Sequence, residues 1–369
     1  MSAAGPSATV MVSADKLAEL VGDIFTAAGC SAKEGERIGR HLVSSNLTGH
    51  DSHGVVRVPR YLQWLREGQF IANREGKVVQ ETPVLAVVDG EYGFGQSVAY
   101  CAVEIGIRKC QAMGLSAVAL RNAGHIGRVG DWAELAAAAG LVSVHFVNAA
   151  GSILVAPFGG VERRFSTAPF CLGIPRPGET PLILDFATSV VAEGKVLVAS
   201  QGGKPIPEDA LIDLDGHKSG DPHVLYGDYP AVGLRDYGKG MGAIRAFGEH
   251  KGSGLAFMCE LLGGSLTGTG AAEPGRRWAN GMLSFYIDPK VIDAEAFFPG
   301  DVARYVAFVK SSKPALSGGE VLVPGEPEAR MREQRLRDGI PLPEDTWLSI
   351  REAALAVGVS EDRLRLVST

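Results

Sequence analysis

Apolar positions in the first part of the chain recur at helical spacing. In SADKLAELVGDIFTAAGC (13–30), Leu17, Leu20, Val21, Ile24 and Phe25 follow the i, i+3, i+4, i+7 rule, with Ser13 as N-cap and Gly29 as stop. SAKEGERIGRHLVSSNL (31–47) predicts a second helix, with Ser31 and Glu34 at capping-box spacing and Ile38 and Leu42 on one face. A third starts near Pro59 and turns Tyr61, Leu62 and Leu65 inward. The middle alternates. VLAVVDG (84–90), LSAVALR (115–121) and LVSVHFV (141–147) predict strands, separated by helices over 93–114 and 128–140. From Gly151 to about Pro230, short β-prone runs such as PLILDFAT are broken by Gly and Pro, which predicts an antiparallel or mixed sheet with long loops. HKGSGLAFMCELLGGSL (250–266) predicts a buried helix and GMLSFYID (281–288) a strand. Three helices close the chain, DVARYVAFVKSS, EPEARMREQRLRDG and EDTWLSIREAALAVG. Helical ends around a glycine-rich middle predict a discontinuous outer lobe enclosing a second domain.

Composition narrows the classes. With 369 residues, 46% hydrophobic and 21% charged, the chain has material for more than one core. A net charge of -6 and no basic stripe argue against nucleic-acid binding. No apolar run is long enough for a membrane span, and the opening MSAAGPSATV lacks a signal peptide's pattern and is expected to fray. Five scattered cysteines without C-x-x-C read as reduced thiols, so a cytoplasmic home is the default. The 48 glycines have no collagen-like period and point to tight turns and close backbone approaches.

Four segments concentrate reactive groups. His50-Asp51-Ser52-His53-Gly54-Val55-Val56-Arg57 supplies a proton exchanger and a guanidinium that clamps a carboxylate, the two needs of 2-hydroxy-acid oxidation. The bland reading is a capped joint between helices, and a metal reading would use His50, Asp51 and His53. Arg121 to Gly127 follows a strand and brackets His125 with two glycines. Asp185-Phe186-Ala187-Thr188-Ser189 is an acidic, hydroxyl-rich strand end. His250-Lys251-Gly252-Ser253-Gly254 opens a helix whose N–H groups, with Lys251, suit a pyrophosphate. Gly93-Phe94-Gly95 starts a dinucleotide fingerprint, yet Val98 stands where the third glycine belongs and the following strand ends in Arg121 rather than an acid.

In order along the chain, DSHGVVRVPRYLQWLREGQF, RNAGHIG, LDFATSVVAEGK, GKPIPEDALIDLDG, HKGSGLAFMCELL and VPGEPE resemble the malate/L-lactate dehydrogenase family of NAD(P)-dependent oxidoreductases, over nearly the whole sequence. The resemblance implies an α/β fold with a non-Rossmann, largely antiparallel nucleotide domain over 86–289. It also implies a helical substrate and dimerisation lobe from 1–85 and 290–369, a homodimer, a small anionic substrate and NAD or NADP. It implies His53 as acid/base with Ser52 and Asp185 as its relay, and His125 as the rival acid/base. Arg57, Tyr61, Asn148 and Thr167 would meet the substrate. Asp185, Phe186, Ala187, Thr188, Ser189, His250, Lys251, Gly252, Gly325 and Glu326 would line the dinucleotide, and no metal is implied. Ser166-Thr167-Ala168-Pro169 and Val147-Asn148-Ala149 depart from the family's Gly-Thr-Asn-Pro and Thr-Asn-Ser, and Ile126 stands where an aromatic residue is common. The expected reaction is hydride exchange between nicotinamide and C2 of a 2-hydroxy or 2-oxo acid. The alternatives are a ketimine reductase for cyclic imino acids such as piperideine-2-carboxylate, a metal-dependent hydrolase, and a non-catalytic nucleotide binder.

Overall fold

The computed structural model describes residues 9–230 and 235–367. The chain enters through β1 (Thr9–Val12), α1 (Ala14–Ala27) and α2 (Ala32–Leu47), whose periodic apolar residues are all buried. Fraying was expected through Val10; residues 1–8 lie outside the described residues, but Thr9 and Val10 are paired in β1. Ser13 occupies the α1 N-cap position without a side-chain bond. Ser31 caps α2 by accepting the Glu34 N–H at 3.2 Å. The second half of that box is not made. Glu34 accepts the Asn73 N–H at 2.6 Å instead, while Asn73 Oδ1 takes the Ser31 N–H at 2.6 Å.

Two single-turn 3-10 segments, Asp51–His53 and Val55–Arg57, lead into α3 (Val58–Arg66), where Tyr61 and Leu62 are buried and Leu65 only partly. Then follow β2 (Lys77–Glu81), β3 (Leu85–Asp89), α4 (Gly95–Met113), β4 (Leu115–Ala123), α5 (Gly130–Ala138) and β5 (Val142–Ala150). The loop-rich stretch supplies β6 (Val155–Ala156), β7 (Pro169–Ile174), β8 (Leu182–Ala187), α6 (Glu193–Ser200), β9 (Leu211–Ile212), β10 (Lys218–Ser219) and α7 (His223–Tyr226). Next come β11 (Ala243–Arg245), α8 (His250–Cys259), a π-helical continuation over Glu260–Ser265, and β12 (Ala279–Ile287). The chain ends through α9 (Pro289–Ile292), α10 (Phe297–Lys310), α11 (Glu326–Asp338), β13 (Ile340–Pro343), α12 (Glu344–Ala356) and α13 (Glu361–Arg365).

The main sheet runs β2-β3-β4-β12-β5-β7-β8, and only the β3–β4 pair is parallel. This is the largely antiparallel α/β fold expected, not a doubly wound Rossmann sheet. A small sheet runs β10-β9-β11-β6, and β1 pairs with β13. Three cores form among the described residues. One joins both chain ends, packing Leu17 and Phe25 with Trp347 and Ile350. A second lies between the main sheet and α4 and α5, and a third surrounds Leu211, Tyr226 and Ile244. No helix among the described residues is long and apolar enough to cross a membrane.

The α8 segment departs from expectation. Cys259 and Ala256 face inward, but Phe257, Met258, Leu261 and Leu266 are exposed, so the helix is buried on one side only. At Gly93-Phe94-Gly95 the turn is a packing device. A Cβ on Gly95 would lie 2.3 Å from the His125 carbonyl oxygen, and Phe94 is fully buried. Gly95→Ala should therefore cost about 1–3 kcal/mol of overpacking strain, read as a lower denaturant midpoint; an unchanged midpoint would contradict this contact.

Candidate active site

The turn between α2 and α3 is short of regular backbone pairing, and side chains hold it. Asn46 Oδ1 accepts the Val55 N–H at 2.9 Å and Asn46 Nδ2 donates to Asp51 at 2.6 Å. Arg335 of α11 grips both Asp51 oxygens, at 2.6 and 3.0 Å. So clamped, the turn directs His53 and Arg57 into one cavity of about 150 Å³. Its wall continues through His125, Trp64 and Trp278. His125 comes from the loop after β4, which Asn280 of β12 fixes by accepting the Ile126 N–H at 3.0 Å.

The two imidazoles are stacked, centroids 5.5 Å apart and planes 17° from parallel. Ser52 Oγ lies 3.0 Å from His53 Nδ1, and the Tyr61 hydroxyl 2.5 Å from His125 Nδ1. Each Nε2 is without a protein partner among the described residues. Burial, then the neighbouring His125 and Arg57, holds His53 well below the usual histidine range. His125 is lowered by burial and Arg57. Both rings are therefore neutral near pH 7.

Arg57 is oriented by the Ser52 carbonyl, 2.6 Å from Nε, and by Glu193, 3.4 Å from Nη2. Its Nη1 takes no partner among the described residues. Tyr226 donates to the other Glu193 oxygen at 2.7 Å. A close approach makes this possible. A Cβ on Gly194 would sit 2.4 Å from Ser52 Cβ, so only glycine lets α6 reach the turn that carries His53. Arg60 also lines the cavity, its Nη groups on Gln63 and the Arg235 carbonyl. With Glu193 the sole carboxylate on this wall among the described residues, the chamber favours an anion.

A second cavity of about 400 Å³ adjoins the first, sharing His53, Thr167, Val129 and Ala192. It is lined by Asp185, Phe186, Ala187 and Ser189, by His50 and Arg128, and by Lys195 in the first turn of α6. Lys195 is exposed and without a partner among the described residues. A helix N-terminus with a free ammonium beside it suits a diphosphate. Beyond β8, a third cavity of about 640 Å³ is lined by Ile183 and Gly325. The donor set around the second cavity thus fits a dinucleotide's phosphates.

Several expected roles fall elsewhere. Asp185 accepts the Gly130 N–H at 2.7 Å and makes no relay with Ser52 or His53; burial raises its carboxyl against the pull of His50 and Arg128. Tyr61 is fully buried behind His125 and lines neither cavity. Asn148 is buried too, donating to Glu260 at 3.0 Å and to the Gly270 carbonyl at 2.8 Å. Thr188 is consumed by the Thr167 and Ala168 carbonyls. His250, Lys251 and Gly252 lie outside the first two cavities, His250 against the Phe158 ring. Glu326 pairs with Lys310. The metal triad does not form, because Asp51 is spent on Arg335. Among the described residues the one three-ligand group is Asp213, Asp215 and His217, in an exposed turn.

Sequence reasoning missed Glu193 and Lys195, although both stand inside LDFATSVVAEGK, and Arg60, inside DSHGVVRVPRYLQWLREGQF. Arg128, Trp278 and Asn280 carried no local signal.

Residues 12–351 match the malate/L-lactate dehydrogenase family model. Hydroxycarboxylate dehydrogenase B of Escherichia coli K12 is 38% identical over 360 residues, covering 95% of this chain and 96% of that protein. A solved E. coli structure described as a malate/lactate dehydrogenase superposes with a TM-score of 0.88 at 37% identity, covering 96% and 98% of the two chains. The Δ1-piperideine-2-carboxylate reductase of Pseudomonas syringae pvar. tomato superposes with a TM-score of 0.76 at 28% identity, covering 93% and 99%. On this similarity across its whole length, the chain belongs to the malate/L-lactate dehydrogenase family and is an oxidoreductase acting on CH–OH groups.

Proposed function

We propose that the protein interconverts a small 2-hydroxy acid and its 2-oxo acid with NAD or NADP. The observation that carries this reading is that His53 and Arg57, from one turn, share a cavity wall beside a groove suited to a dinucleotide. The free Nη1 of Arg57 binds the substrate carboxylate, a charge-assisted bond of about 1.5–3 kcal/mol. That anchor directs C2 and its hydroxyl toward the stacked imidazoles. His53 Nε2 takes the hydroxyl proton during oxidation and returns it during reduction, while Ser52 Oγ accepts from Nδ1–H in both states. Bound nicotinamide supplies the hydride acceptor or donor. Lys195, the α6 N-terminus and the Asp185–Ser189 strand end hold the dinucleotide, with Gly325 at its far end. We assign residues 86–289 to cofactor binding and the joined ends, 1–85 and 290–369, to the substrate and dimerisation lobe.

A second reading, reduction of a cyclic imino acid with His53 protonating the imine nitrogen, is favoured by the similarity to the piperideine-2-carboxylate reductase. Assays of 2-hydroxy, 2-oxo and cyclic imino acids with each nicotinamide cofactor decide between them. Turnover should be found with the hydroxy/oxo pair, and His53→Ala should lower kcat about 10²–10⁴-fold while dinucleotide fluorescence quenching persists. Turnover confined to imino acids, or near-normal turnover in the variant, would refute this assignment.

Acidity gives a second check. Because His53 is lowered from 6.5, the proton-accepting form survives as pH falls through that value. Oxidative kcat/KM should stay level there and decline only at lower pH; a decline centred at 6.5 or above would contradict the buried, Arg57-flanked ring.

The exposed apolar side chains Phe257, Met258, Leu261 and Leu266, with Phe297, Tyr305 and Phe308 on α10, support a homodimer. Sedimentation should give a dimer that Leu266→Asp with Phe308→Asp converts to monomer, and a monomeric wild type would overturn this.

A further inference from the structure

Two stacked imidazoles on one wall pose a question of division of labour, and their Nδ1 partners differ. Ser52 Oγ, beside His53, can donate or accept. The Tyr61 phenol, beside His125, is fully buried among Phe25, Phe70 and Phe94. Its hydrogen has no route to water. Gln96 Nε2 lies 3.3 Å from the phenol oxygen and 3.3 Å from the His125 carbonyl oxygen. A carbonyl only accepts, so the amide nitrogen must be the group facing it. The opposite orientation would press oxygen against oxygen. The same nitrogen then donates to the phenol oxygen, and the phenolic hydrogen is left with a single acceptor, His125 Nδ1.

We infer that Tyr61, backed by Gln96, is a positioning residue that fixes His125 with its proton on Nε2, as a donor toward the substrate C2 oxygen and never as the base. Protonating His125 would make Nδ1 a donor and strand the phenol hydrogen in an apolar cage. Burial and the Arg57 charge, which lower the His125 pKa, act in the same direction. His53 has no such lock. The proton thus leaves the hydroxyl for His53 Nε2, while His125 Nε2–H polarises the oxygen that becomes, or was, the carbonyl. This assignment rests on the dehydrogenase reading, but its first test does not.

Nitrogen NMR of ¹⁵N-histidine-labelled protein without ligands reads the tautomer, with His125 assigned by loss of its signals in His125→Asn. The wild type should give a bare Nδ1 and a protonated Nε2, unchanged from pH 8 down through 6.5. Tyr61→Phe should mix the tautomers and make His125 titrate. With a working substrate, the same variant should lower kcat by roughly 10²-fold with KM within about threefold, and add an acid limb to its pH profile. Tyr61→Leu, which also opens the aromatic cage, should do no better than Phe. A wild-type His125 protonated on Nδ1, or a Tyr61→Phe enzyme with unchanged kcat, pH profile and tautomer, would overturn the assignment. If no substrate is found, the dehydrogenase reading fails while the wild-type tautomer still decides this one.

Discussion

The site depends on one ion pair, Arg335 with Asp51, made between the two ends of the chain. The 3-10 turns carrying His53 and Arg57 have too little backbone pairing to hold two side chains in register. Arg335 meets both Asp51 oxygens and also donates to the Asn46 carbonyl, so one guanidinium ties α11 to the end of α2 and the start of the turn. Asp51 is too exposed for the pair to contribute much Coulomb energy. Its value is geometric, since a bidentate pair fixes orientation as well as distance. The shared terminal core stiffens the arrangement by packing Phe25 and Leu42 with Trp347 and Ile350.

Given that scaffold, electrostatics sets the protonation states. Two imidazoles are buried beside Arg57, so a positive charge on either is opposed by desolvation and by a like charge. Glu193 offsets Arg57 in part, and its second oxygen is tied to Tyr226 rather than to the histidines. A substrate carboxylate on Arg57 would remove much of the repulsion. Binding the acid would thereby ease proton uptake by His53, coupling substrate charge to the chemistry it undergoes.

Much of this was legible in the sequence. The amphipathic helices are where periodicity puts them, and the turn from His50 to Arg57 carries the acid/base and anchor candidates together. What was illegible has physical causes. KVVQE of β2 is an exposed edge strand without alternation, and the IPLP of β13 reads as a breaker, although pairing with β1 makes it a strand. The family resemblance implied Tyr61 as a substrate ligand, whereas the helical period turned it inward. On α3 its ring points into the core. Asp185 was expected to orient His53, yet the Gly130 amide claims it. Lys195 and Glu193 sat in a recognised segment but acquire meaning only when α6 meets the turn at Gly194.

The sheet explains why the glycine fingerprint is absent. In a parallel nucleotide fold, space for a ligand opens where neighbouring crossovers diverge, and a glycine-rich turn receives the phosphates. Here β4, β12 and β5 are adjacent and antiparallel, so the end of β4, the start of β12 and the end of β5 meet at one edge, with Ala123 opposite Asn280 and Asn280 opposite Ala149. That edge presents the His125 loop, with Asn280 bracing it. Gly93-Phe94-Gly95 is then free to pack beneath the loop rather than cradle a phosphate. In the proposed reading, α6 and Lys195 across the cavity would take over the holding of an anionic cofactor, on the very helix that also orients Arg57.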